Sequence, residues 1–249
     1  MPAQYLVRET AMALSDFVGN DAVLLISCKR ILDRQPSAAP LVWLIAHALG
    51  APNPSQALWQ ATEEIEDDRT AAAIAYELPD SATIAVIGWS EWVANVLRSR
   101  GDVGVIVIDL DGSGEFEMEQ VLDDGQLGVC VDPSGAGQVL GEATHLLLTL
   151  DALGPTSAVA RQGALSAAAV ARHLDTAVWG VAPTGVVLPG RMYDGLTRRW
   201  HETSSEPVWE RPVEEFDIAL LDMVATTRGL VTTADALKHG GCPIVPELF

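Results

Sequence analysis

Long apolar runs, paired cysteines and positive charge are what this sequence has least of. No apolar run reaches the roughly 18 to 20 residues that a membrane-crossing helix needs, and the opening MPAQYLVRETAMALSDF sets charges inside its apolar pattern. A cytoplasmic protein with no membrane partner is expected. Its 3 cysteines, Cys28, Cys130 and Cys242, are scattered and odd in number, which gives neither the close pairs of a zinc site nor the density of a disulfide scaffold. Reduced thiols are expected. Lys and Arg total 15 against 34 Asp and Glu, a formal charge of −19, so nucleic acid and anionic membranes are repelled at long range. Direct nucleic-acid binding is not expected.

Several motifs are missing as well. The glycine segments DGSGEFE and PSGAGQ lack the spacing of a dinucleotide fingerprint or a Walker A loop. There is no GxSxG elbow and no HExxH helix. His47, His145, His173, His201 and His239 show no metal-ligand spacing. Neither a cofactor nor a metal is expected.

What is present is enough to build a core: 249 residues, 49% hydrophobic and 20% charged, fit an α/β domain with a smaller attachment. Residues 1–78 read as an N-terminal helical domain. Apolar residues recur at helical spacing from Ala3 to Phe17, Asp21 is placed to cap a second helix, Ser37 to cap a third that stops at Gly50, and a fourth runs from Ser55 to about Tyr76. The acidic run Glu63, Glu64, Glu66, Asp67, Asp68 is expected as a solvated face of that fourth helix. Leu78, Pro79 and Asp80 break the pattern.

Residues 79–249 read as a Rossmann-like α/β ligand-binding domain. Short apolar runs at Thr83 to Ile87, Val103 to Ile108, Gly128 to Val131, His145 to Leu150 and Ala177 to Val181 alternate with helices at Glu91 to Arg98, Phe116 to Leu122, Gly137 to Glu142 and Arg161 to His173. Near-continuous apolar strands separated by helices signal an open parallel sheet with helices on both faces. After Ala182 a Pro/Gly-containing connection and a polar loop are expected, and strand and helix character resumes at Glu215.

In such sheets ligands bind beyond the carboxyl ends of the strands. Those ends carry Gly88, Trp89 and Ser90; Asp109 and Asp111; Asp132 and Ser134; and Asp151. Four aspartates around one crevice would raise one another's pKa toward useful acid/base values, whereas singly each is a helix or turn cap.

Five segments, in order, resemble the family that contains the alpha, beta and delta subunits of translation initiation factor 2B, methylthioribose-1-phosphate isomerase and ribose-1,5-bisphosphate isomerase. They are RQPSAAPLVWLIAHAL from Arg34, ATIAVIGWSEWVANVL from Ala82, VCVDPSGAGQVLGEATHLLLTLDAL, SAVARQGALSAAAVARHLDTAVWGVAP and FDIALLDMVATTRGLVTTADAL. The resemblance implies a Rossmann-like sheet behind an N-terminal helical domain, and a homodimer. In the isomerases a cysteine and an aspartate move protons as a sugar phosphate is isomerised. Asp151 matches the aspartate, Gly88 stands at the cysteine, Ala160 and Arg161 replace an Asn-Lys pair, and IDLDGSG lacks the arginine of an ESRP motif. Arg34, Arg161 and Arg191 are the cations expected to be able to reach a phosphorylated ligand. Three readings stay open: a non-catalytic ligand-binding or regulatory protein, an aldose-ketose isomerase with Asp151 as acid/base, and a binder of a cationic small molecule or metal in the acidic crevice.

Overall fold

In the computed structural model, which describes residues 3–110, 112–122 and 125–249, five helices come first. They are α1 (Ala3–Ser15), α2 (Asp21–Arg34), α3 (Ala39–Gly50), α4 (Pro54–Glu66) and α5 (Thr70–Glu77). Asn20 caps α2 by accepting from the Val23 amide, and Asp21 is its first helical residue. Ser37 does not cap α3, whose N-cap residue is Ala38, without a side-chain cap bond, and which is held by burial of Leu41 through Ala46.

The single helix expected over Ser55 to Tyr76 is two, because Asp68 pulls the chain out of helical geometry. Its carboxylate accepts from the amide and hydroxyl of Thr70 and from the amide and hydroxyl of Thr184, at 2.8 to 3.1 Å. The end of the acidic run is therefore a half-buried joint rather than a solvated face.

Among the described residues nine strands follow: β1 (Thr83–Ile87), β2 (Gly104–Ile108), β3 (Gly128–Val131), β4 (His145–Leu153), β5 (Ser157–Arg161), β6 (Ala177–Val181), β7 (Val213–Asp217), β8 (Met223–Thr226) and β9 (Gly229–Val231). The order β3-β2-β1-β4-β6-β8 is parallel throughout, and β9 pairs antiparallel with β8 at the edge. Between them run α6 (Glu91–Ser99), α7 (Gly114–Glu119), α8 (Ala136–Glu142), α9 (Ala164–His173) and α10 (Gly190–Thr203), and α11 (Thr233–Lys238) follows β9. Ile84, Val86, Val105 and Val107 pack with α5 and α6 on one face, while Ala85, Ile87, Leu146 and Leu148 pack with α8 and α9 on the other. This is the alternation that a two-sided sheet imposes.

Two elements depart from expectation. Residues Ser157–Arg161 form β5, which pairs antiparallel with β4 and with β7, so the helix expected from Arg161 starts at Ala164 and the parallel sheet carries an antiparallel extension. Residues 190–203, expected as connection and loop, form α10. Its Met192, Tyr193, Leu196 and Trp200 lie at helical spacing and are buried in one core with α1 to α4, with Ala152 and Val159 of the extension, and with Val245 and Leu248. Among the described residues no helix is long and apolar enough to cross a membrane.

Candidate functional site

Strand β4 belongs to two ladders. His145 to Thr149 pair with β6, and from Leu150 onward the strand pairs with β5, with a register shift between Leu150 and Ala152. Asp151 is the extra residue in that bulge. The consequence is visible in the packing: Leu146, Leu148 and Leu150 face one core, yet Ala152 faces the opposite one and Leu153 returns. A single inserted residue flips the side-chain parity and leaves one residue free of the ladder. Asp151 is half-buried there. Removal from water pushes its carboxyl up to about 6, and the Arg161 cation draws it part of the way back. Burial, rather than the neighbouring aspartates of the expected crevice, sets this value.

Arg161, at the end of β5, lies against Gly88. Gly88 follows β1 with φ +65° and donates its N–H to Ile108 O at 2.8 Å. A Cβ built on it would fall inside the Arg161 guanidinium, with Cζ at 2.9 Å. The cation fills the volume that a side chain at position 88 would use. Two residues on, Ser90 heads α6; its hydroxyl is buried without a hydrogen-bond partner and makes no cap bond. In the first turn of α6, Trp92 Nε1 donates to Thr149 Oγ1 at 2.9 Å, which ties the helix start to β4 two residues before the bulge. Trp89 is half-buried beside them. Gly88, Trp89, Ser90, Asp151 and Arg161 are thus brought together.

The other expected site residues lie elsewhere. The Asp109 carboxylate turns back on its own loop, accepting from the amides of Gly112 and Gly114 at 3.0 and 3.1 Å as a cap for α7. Asp132 and Ser134 are exposed at the turn after β3. Strand spacing of about 4.8 Å places the ends of β2 and β3 roughly 10 and 14 Å from β4. Asp111 lies outside the described residues. Arg34 is exposed at the end of α2, which packs against α1, α3 and the C-terminal turn. Cys130 has its thiol pushed up by burial and by Asp109 and Glu115, the opposite of what a nucleophile requires.

The segment before β7 fastens the Arg161 turn. Gln162 donates its amide to Pro212 O at 3.0 Å and its side chain to Trp209 O at 2.6 Å. Glu214 accepts from the Leu165 amide at 2.9 Å, so the start of α9, a place suited to an anion, holds a carboxylate of the chain itself.

No family model matches the sequence, and no curated protein matches it. Solved structures do match. Those similar to this chain include eIF2B beta from Chaetomium thermophilum, 13% identical with a TM-score of 0.73 over 96% of this chain and 85% of that one. Translation initiation factor eIF-2B from Pyrococcus horikoshii OT3 is 14% identical, with a TM-score of 0.75 over 95% and 93%. The tetrameric eIF2B-beta2-delta2 complex from C. thermophilum gives 14% and 0.76 over 95% and 88%. The chain has the eIF2B fold.

Within this eIF2B-like fold, two site features went unread in the sequence: the Trp92–Thr149 bond and the Glu214 cap. Trp92 is one residue into a helix that starts at the end of β1, and that placement was the available signal. Glu214 had none, because strand character was expected to resume only at Glu215, one residue after it.

The Gly88–Arg161 contact makes a measurable prediction. Gly88→Ala should cost about 1 to 2 kcal/mol by forcing a Cβ into left-handed backbone, and should also displace Arg161. In an Arg161→Ala background the same change should cost only the backbone share. Urea unfolding of the four proteins gives the coupling; additivity would show that the guanidinium does not occupy the position 88 volume.

Proposed function

We propose that this protein is a non-catalytic ligand-binding or regulatory member of the eIF2B-like fold, which seats a small molecule with an anionic group, phosphorylated or not, beside Gly88, Ser90, Asp151 and Arg161. The observation that carries this reading is the guanidinium in the place of a side chain at position 88. Where the resembled isomerases hold a thiol, this chain has a cation, which binds an anion well and transfers no proton. The buried, unpartnered Ser90 hydroxyl adds a donor next to it. A homodimer belongs to the reading. That one of the similar structures is a tetramer supports assembly of this fold, and sedimentation of the purified chain tests it.

One observation favours a second reading. A carboxyl pushed up to about 6 is suited to proton transfer near neutral pH, as an aldose-ketose isomerase acting on a phosphorylated sugar needs. The cationic-ligand reading has less support: Asp109 is engaged by its own loop, and no group of three or more His, Cys, Asp and Glu is arranged for a metal among the described residues.

A thermal-shift screen with sugar phosphates, nucleoside monophosphates, polyamines and divalent metals separates the three. Stabilisation by a phosphorylated compound, lost in Arg161→Ala and without conversion of that compound, is the expected result. Asp151-dependent turnover of a sugar phosphate would establish the isomerase instead. Stabilisation by polyamines or metals alone would establish the third reading.

A further inference from the structure

In a chain with 15 basic and 34 acidic residues, an arginine without a carboxylate partner is the less expected state. Helix α10 presents two. Arg191 and Arg198 stand two turns apart on one face, both are exposed, and among the described residues neither makes an ion pair or a hydrogen bond. Asp194 lies between them at a spacing that suits intrahelical pairing, yet it pairs with neither.

These three side chains form one wall of a cleft of about 290 Å³, and Pro246 and Phe249 form the other. The walls are held in place. Gly195 has no side chain because a Cβ there would overlap the Phe249 ring. Arg199 stacks on the far side at 5.3 Å from the ring centroid, donates to Leu248 O at 3.4 Å and pairs with Asp33 at 3.5 Å. At the Arg191 end the cleft also meets the start of α10, which has no side-chain cap and carries the positive end of a 14-residue helix.

The volume sits at the lower limit of small-molecule sites and suits a small ligand. Two guanidinium groups and a helix start stand against the carboxylates of Asp194 and of residue Phe249, and the two guanidinium groups suit an anion with two charged oxygens that engages both at once. Asp194 accepts hydrogen bonds and donates none when ionised, so it favours a ligand with a hydroxyl to donate. We infer that the cleft between α10 and residues 246–249 is a second ligand site, separate from the strand ends, that binds a small hydroxylated dianion through Arg191 and Arg198. A phosphorylated polyol and a hydroxydicarboxylate share that chemistry.

Calorimetric titration of the whole chain with glycerol 3-phosphate, with malate, and with potassium chloride at matched ionic strength tests the site and tells the two sources apart. Binding of at least one dianion is expected. Arg191→Glu and Arg198→Glu, both at exposed positions, should each weaken one binding component about tenfold or more, while Asp151→Asn and Arg161→Ala leave that component unchanged and affect only binding at the strand ends. The last pair keeps this site distinguishable from the strand-end site. Absence of binding by both dianions, an affinity indifferent to both arginine substitutions, or an equal response to potassium chloride would overturn the inference.

Discussion

Asp151→Asn is expected to raise stability by up to about 3 kcal/mol near pH 7.5 and to leave it nearly unchanged near pH 4. The carboxyl is pushed up from 3.8 to about 6 in the folded chain, whereas in the unfolded chain it ionises near 3.9. Between those values the folded state holds more protons than the unfolded one. Stability therefore falls as pH rises through that window and is level above about 6. Asparagine imitates the neutral acid, so it removes the slope and leaves the variant ahead at the alkaline side. Urea unfolding at several pH values measures both quantities. A variant that is less stable near pH 7.5 would mean that Arg161 holds the carboxylate ionised, and the isomerase reading would lose the proton carrier that favours it.

A second large effect is expected at Asp68. Asp68→Ala should destabilise the chain by about 2 to 4 kcal/mol, because it orphans the amides of Thr70 and Thr184 together with both hydroxyls. Asp68→Asn should recover most of the loss. One carboxylate oxygen accepts from Thr70 Oγ1 and from both donors of Thr184, a place that the amide oxygen can take, which leaves only the Thr70 amide facing a donor. The damage should also reach the strand ends. The 183–187 turn that Asp68 holds bonds to the end of β4, through Leu153 N to Val186 O and Leu188 N to Leu153 O, both at 2.9 Å. Chemical denaturation gives the loss, and faster amide exchange at Leu153 would show that it has spread.

The parallel body was legible because its strands are uninterrupted apolar runs bounded by polar turns. β1, β3 and β6 fall where the run lengths put them. The antiparallel extension was not. β5 offers SAVAR, in which small residues suit a helix or a strand equally, and β7 sets two adjacent glutamates, Glu214 and Glu215, before a single buried Phe216, which breaks the alternation of a strand. α10 was hidden by its glycines. Gly195 reads as a breaker in sequence and is in fact the point where the Phe249 ring rests on the helix. At the site, Asp151 and Arg161 stood out by type and position, but that Arg161 fills the space beside Gly88 depends on the left-handed backbone at 88. The acidic crevice was over-read: a sequence shows that Asp109 ends a strand, not that its carboxylate turns inward to Gly112 and Gly114.

Asp151 and Arg161 sit on the two arms of one hairpin, β4 and β5, joined by the short turn at residues 154–156. Their encounter is a low-contact-order event that closes a loop of about ten residues, the kind completed early in folding. Gly88, some sixty positions upstream, arrives by slower long-range pairing of β1 with β4. The acid and the cation therefore travel as one module of local sequence, which a rearrangement elsewhere in the chain would leave intact, while the glycine that admits the guanidinium is the component that depends on the whole sheet.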